Sequence, residues 1–220
     1  HPIESHSPLR FDSSYNLSSD GADYFSFGIR PAMHSIYDPL SGYQKNTSIE
    51  VLSAKINIEH EKKDMYVSEF SLISIESFIP GTILSDQFTR YIKVAYEENS
   101  IKEREFSRQG YAKIGSGFSY QFCNSIIASL GFHAGVIDYY YDDNFFTWLV
   151  GSRPRINISF NKWSCDILLN CEYDKFSGKN LIGSTDLSLA LKNNFAIFIN
   201  CSNNLCSGLY TISSGLRYYF

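Results

Sequence analysis

The sequence predicts an all-β fold, a closed antiparallel transmembrane β-barrel of about 12 strands, on three observations. Apolar and polar residues alternate with period two through short segments separated by turn residues. Aromatic residues make up 16% of the 220 residues, and the large rings gather at segment ends rather than in their middles. In the second half of the chain, links of two or three residues alternate with longer ones.

Composition removes the competing classes. With 17 Phe, 16 Tyr and only 44% apolar content, the chain does not read as a helical bundle. The longest nearly uncharged apolar stretch, Ser125 to Ile137, is too short for a spanning helix of about 20 residues. Net charge is −4, and Lys and Arg are scattered singly, so no basic stripe marks a nucleic-acid partner. Cys123, Cys165, Cys171, Cys201 and Cys206 form no CxxC pair and have no His at zinc-finger spacing, so neither a metal nor a cofactor is expected. Their odd number argues against a full disulfide framework and leaves most of them as small apolar fillers. Gly115 and Gly117 precede no helical pattern, which removes a phosphate-cradling loop. The chain opens at His1 without a leader, so residues 1–220 are expected to be a single barrel domain, the C-terminal part of a longer exported protein.

Taken in order, the strands expected in the first half are Leu9 to Leu17, Tyr24 to Met33, Ser48 to His60, Met65 to Phe78 and Thr89 to Tyr96. Their alternation is irregular. From Ala112 it is clean: Ile114, Phe118, Tyr120 and Phe122 share one face, with Lys113, Gly115 and Gly117 on the other. The next strands run Ile126 to Val136 and Phe146 to Phe160, then Trp163 to Asp174, each with the same segregation. Leu187 to Leu191, Phe195 to Cys201 and Tyr210 to Phe220 complete the set. Two-residue turns join strands of opposite parity and three-residue turns join strands of equal parity, as antiparallel hairpins require.

A soluble β-sandwich binding module would alternate in the same way, so the aromatics decide which face is outside. Phe122, Phe160, Trp163, Phe195 and Phe220 align at one rim of the apolar face, and Phe146, Trp148, Tyr173 and Tyr210 at the other. Two aromatic belts suit the two interfaces of a bilayer, so outer-membrane lipid is the expected partner of this face. The polar face then lines a lumen. On it, Arg153 and Arg155 lie across or diagonal to Asp166 and Glu172, which predicts internal ion pairs that plug the bore. The alternative is a selectivity ring in a small-solute channel.

Links at Cys123 to Ser125, Asn161-Lys162 and Lys192 to Asn194 read as periplasmic turns, with longer extracellular loops at Asp138 to Phe145 and Phe176 to Thr185. Ser35 to Asn46 and Ile79 to Phe88 break that rule by being long on the periplasmic side. The final strand, with Leu216, Tyr218 and Phe220 at alternate positions, resembles the signal that barrels present to their assembly machinery. Arg30, His34, Tyr37 and Asp38 cluster at the periplasmic end of the second strand. They are candidates for docking a neighbouring domain or for pairing locally in a loop that closes the mouth.

The text Ser5-His6-Ser7-Pro8-Leu9-Arg10, Phe27 to Pro39, Gly42-Tyr43 and Ile49 to Leu52 resembles the C-terminal barrel module of Gram-negative proteins. In those proteins the module follows a periplasmic domain of the Lnb type, related to lipoprotein transacylases. The motifs cover roughly residues 5 to 96, and Ser35 departs from an expected acidic residue. The resemblance implies a bacterial outer-membrane barrel that anchors an upstream hydrolase or acyltransferase domain, whose catalytic residues lie outside this chain. Enzymatic activity on the barrel itself is not expected. Lipid hydrolysis needs a base on the lipid side, whereas His133 has lumen parity, His60 lies at a loop, and His1 and His6 precede the first strand.

Overall fold

The structure, a computed structural model, describes residues 9–21, 23–31, 47–60, 64–77, 80, 89–98, 108–139, 146–175, 177–192 and 194–220. Twelve strands are formed: β1 (Leu9–Ser18), β2 (Asp23–Pro31), β3 (Thr47–Glu59), β4 (Met65–Ser77), β5 (Thr89–Glu98) and β6 (Arg108–Cys123) in the first half. The second half gives β7 (Ile126–Tyr139), β8 (Thr147–Phe160), β9 (Trp163–Asp174), β10 (Gly178–Lys192), β11 (Phe195–Asn204) and β12 (Leu209–Tyr219). Each strand pairs antiparallel with its sequence neighbours, and β1 pairs with β12 to close the barrel. Closure matters because hydrocarbon offers no partner to an unpaired backbone N–H or C=O, so a sheet crosses a bilayer only when it has no edge.

The polarity is inverted relative to a soluble domain. Ile114 (65% exposed), Phe118 (63%) and Ile199 (53%) stand on the outside, while Arg155 (5%), Asp166 (2%) and Asp186 (7%) are buried inside. The two aromatic rims are present on the exterior. Phe122, Phe160, Trp163, Tyr218 and Phe220 are exposed at the rim shared with the start of β1, and Phe146, Trp148, Tyr173 and Tyr210 at the other. Trp148 and Tyr173 lie 6.0 Å apart, and Tyr218 and Phe220 meet edge to face at 4.8 Å.

The irregular alternation of the first half has a structural cause. On β3, Ser48 and Glu50 face inward, but after Leu52, whose φ is +57°, the inward set becomes Ser53, Lys55 and Asn57. Val51 and Leu52 therefore both face lipid. Further irregularities interrupt β3–β4 pairing at Lys55/Ile56 and β4–β5 pairing at Ser71/Ile73. Bulges of this kind switch a strand's facing residues and bend it, which a strict period-two reading cannot follow.

Two expectations are corrected. Phe176 to Thr185 is not a long loop: β10 begins at Gly178 and pairs with β9 from Gly178↔Asp174 onward. Lumen parity there falls on Asn180, Ile182 and Ser184 and lipid parity on Lys179, Leu181, Gly183 and Thr185, so each face mixes polar and apolar residues and the strand is masked. Short turns consequently occur at both rims. The cysteines do not fill a core either, since Cys123, Cys201 and Cys206 are exposed and Cys165 and Cys171 lie on the outward face of β9. Residues 35–46, 79 and 81–88, expected as the two long loops, lie outside the described residues.

Candidate functional site in the barrel lumen

Inward-facing charges on eight strands converge on a lumen that holds a cavity of about 360 Å³, lined among others by Arg10, Arg30, Lys55, Lys93 and Arg217. The cavity is bounded on one side by a bridge across the bore. Glu76 on β4 receives Arg153 Nη1 on Oε1 and Arg155 Nη1 on Oε2, each at 2.7 Å. Strands β4 and β8 are four positions apart around the barrel, so these bonds cut a chord through the lumen rather than following the wall. Arg155 Nε also donates to Asp166 Oδ1 at 2.6 Å, diagonally across the β8–β9 register, where Asp166 lies opposite Asn157. The Arg153 guanidinium sits 4.2 Å from the Tyr91 ring centroid, a cation–π contact that holds it over the bore.

A second network closes the opposite wall. Asp12 accepts from Arg10 Nη2 at 3.2 Å and pairs with Arg30 Nε at 3.3 Å, and Arg30 Nη1 also donates to Glu50 at 2.7 Å. Arg217 forms a fork onto Asp186, with Nη2 to Oδ2 at 2.8 Å and Nη1 to Oδ1 at 3.3 Å. Planar two-point pairing fixes the guanidinium direction more tightly than a lysine could. Lys93 links Glu69 and Glu97 at 3.0 and 3.2 Å, and the Tyr111 hydroxyl donates to Glu97.

A third group occupies the lumen side of β6, β7 and β9. Lys113 Nζ and His133 Nε2 converge on Glu172 Oε1 at 2.6 and 2.9 Å. The His133 ring has room only because Gly151 faces it: a Cβ there would lie 2.6 Å from His133 Nε2. Toward the rim opposite the start of β1, Ala95, Tyr111, Ile137, Tyr139 and Leu149 form a small buried apolar cluster. Tyr139 donates to Asp174 at 2.9 Å, which ties that cluster to the wall.

Of the sequence-singled residues, the structure joins Arg155 to Asp166 but sends Arg153 to Glu76 and gives Glu172 to Lys113 and His133. Arg30 points into the lumen and is held there by Asp12 and Glu50. His34, Tyr37 and Asp38 lie outside the described residues. Leu216, Tyr218 and Phe220 share the lipid-facing side of the last strand. Sequence reasoning missed Glu76, Lys113 and the Arg217–Asp186 fork, because partners 79, 59 and 31 residues apart leave no local pattern. The available signal was the lumen parity of Lys113, Asp186 and Arg217; Glu76 lies where bulges conceal parity.

A closed barrel with a lipid-facing apolar exterior and a charged lumen defines a bacterial outer-membrane β-barrel of porin-like architecture. The chain belongs to the family described as Domain of unknown function (DUF7840), whose model matches residues 1–219. It is similar in fold to the NanC porin, with a TM-score of 0.59 and 9% identity over 96% of this chain and 100% of that one. The KdgM porin in complex with disordered oligogalacturonate gives 0.56 and 10%, covering 96% and 99%. The COG4313 outer membrane channel from Pseudomonas putida F1 gives 0.51 and 7%, covering 96% and 93%. At these identities the likeness is one of fold. No curated protein sequence matches the chain.

Proposed function

We propose that this barrel is an outer-membrane anchor for an upstream periplasmic domain of the hydrolase or acyltransferase class, with its own bore held shut. The observation that carries this reading is the Glu76 chord: two guanidiniums from β8 meet one carboxylate from β4 across the lumen. An open channel leaves its axis free for solute, whereas here the charged side chains spend their hydrogen-bonding capacity on one another. Catalysis in this reading belongs to the upstream Lnb-type domain. The rim carrying the start of β1, with Arg30 nearby and the stretch containing His34, Tyr37 and Asp38 following it, is the docking end. In the full-length protein, replacing Arg30 and His34 with alanine is expected to loosen association between barrel and upstream domain, read by crosslinking; unchanged crosslinking would remove the docking role.

The cavity of about 360 Å³ and the likeness to porins favour a second reading, a narrow small-solute channel. One of those porins is described with oligogalacturonate, so an anionic solute would be the first to try on this barrel. Planar-bilayer conductance separates the two. The anchor reading expects the unmodified barrel to stay closed, and steady open-pore current from it would give the channel reading its place.

A further inference from the structure

Strands β5, β6 and β7 carry a groove on their lipid-facing side. Tyr96, Gly110 and Asp138 stand in one cross-strand row, and Val94, Ala112 and Val136 in the next. The middle residue is the smallest in each row, so the outer surface sinks along β6 between taller walls. Phe70, Leu72 and Phe146 extend those walls around a volume of about 320 Å³. That is roughly twice the ~150 Å³ cavity that accepts a benzene ring.

Two independent features mark the groove as a seat rather than a packing irregularity. Gly110 has no positive φ, and a Cβ added to it would meet nothing within 4 Å. Gly117 on the same strand differs, since its Cβ would run into the Leu130 carbonyl oxygen at 2.0 Å. Nothing in the described fold therefore requires glycine at 110; its effect is to leave the groove open. The second feature is Asp138. Strand parity turns it outward beside Gly110, yet its Oδ1 is shielded from water and has no hydrogen-bond partner among the described residues. A shielded carboxylate oxygen calls for a donor. Its depth is that of Phe146 and Trp148, the aromatic belt at headgroup level on the rim away from the start of β1.

We infer that the groove seats one lipid of the leaflet at that rim, its acyl chain lying over Gly110 and Ala112 and a donor-bearing headgroup meeting Asp138. The occupant follows from the surroundings: this face borders hydrocarbon, so acyl chains are what reach it. A carboxylate selects ammonium or hydroxyl donors over groups that offer none. The inference rests on the outward apolar face and not on the anchor role, so the conductance result leaves it untouched.

The test uses native mass spectrometry of the full-length protein released from vesicles of equal phosphatidylethanolamine and phosphatidylcholine. The two headgroups differ in that methylation removes every ammonium donor from the second. One retained phosphatidylethanolamine is expected, favoured by about tenfold over phosphatidylcholine, as a charge-assisted hydrogen bond implies. Asp138→Ala is expected to abolish the preference, and Gly110→Leu to lose both lipids while the barrel still shows the heat-dependent gel shift of a folded one. Equal retention of the two lipids by the unmodified protein would overturn the inference without recourse to any variant. Full retention by folded Gly110→Leu would overturn it as well.

Discussion

Replacing Glu76 with alanine is expected to lower the stability of the folded barrel by about 2 to 3 kcal/mol, near the lower end of what breaking a buried ion pair costs. Among the described residues, Arg153 would lose the one carboxylate within bonding distance and keep the Tyr91 ring. Arg155 would keep Asp166. The unequal loss sets the size of the effect, because Arg153 retains 18% side-chain exposure and lumen water takes up part of the charge, while the deeply buried guanidinium stays paired. The urea midpoint for unfolding from bilayers, followed by tryptophan fluorescence, reads this directly. Glu76→Gln should fall between the two, since it keeps hydrogen-bond acceptance but not charge. The same change opens the chord, so Glu76→Ala is also expected to raise conductance with a preference for anions, drawn by the released guanidiniums. An unchanged midpoint together with unchanged conductance would show that the bridge neither holds nor closes the barrel.

Replacing Gly117 with valine is expected to prevent barrel formation. The lumen sides of β6 and β7 approach so closely that a Cβ at 117 would lie 2.0 Å from the Leu130 oxygen and 2.6 Å from Gly131 Cα. Both obstacles are backbone atoms, so no side-chain rotamer relieves them, and the strands must separate by an amount that breaks their ladder. Overpacking of a side chain costs roughly 1 to 3 kcal/mol, and this case exceeds that range because the backbone itself must move. Gly115 and Gly135 show the same confinement. Glycines at these facing positions let the β6–β7 pair curve tightly around the His133–Glu172–Lys113 group. The readout is the heat-dependent gel shift after refolding into detergent. A folded Gly117→Val barrel would mean that the curvature has slack the structure does not show.

What was legible in the sequence follows from what leaves a local trace. Strand parity from Ala112 onward needs only the identity of neighbours two residues apart, so the inward set Lys113, His133, Arg153, Asp166 and Arg217 could be read before any coordinates. Aromatic belts were legible for the same reason, as Phe160 and Trp163 flank one turn and Trp148 and Tyr173 lie diagonally across the same hairpin. Partner choice was not. Arg153 had a diagonal carboxylate in Glu172, yet it reaches Glu76 on β4 instead, a decision made by barrel closure. The parity switch at Leu52 was hidden because a leucine with φ of +57° has no residue signature of the kind glycine or asparagine gives. The early part of β10 was hidden because Ile182 has lumen parity while Lys179, Gly183 and Thr185 have lipid parity, which erases the alternation.

On β11, odd-numbered residues touch lipid and even-numbered ones touch the lumen. Nitroxide labels placed singly at Ile197, Phe198, Ile199 and Asn200 of the barrel in bilayers test it, through relaxation by oxygen, which dissolves in hydrocarbon, and by a water-soluble nickel chelate. Labels at 197 and 199 should be relaxed by oxygen, with labels at 198 and 200 shielded from it. High oxygen contact at 198 and 200, or none at any of the four positions, would contradict the inverted barrel and every functional reading built on it.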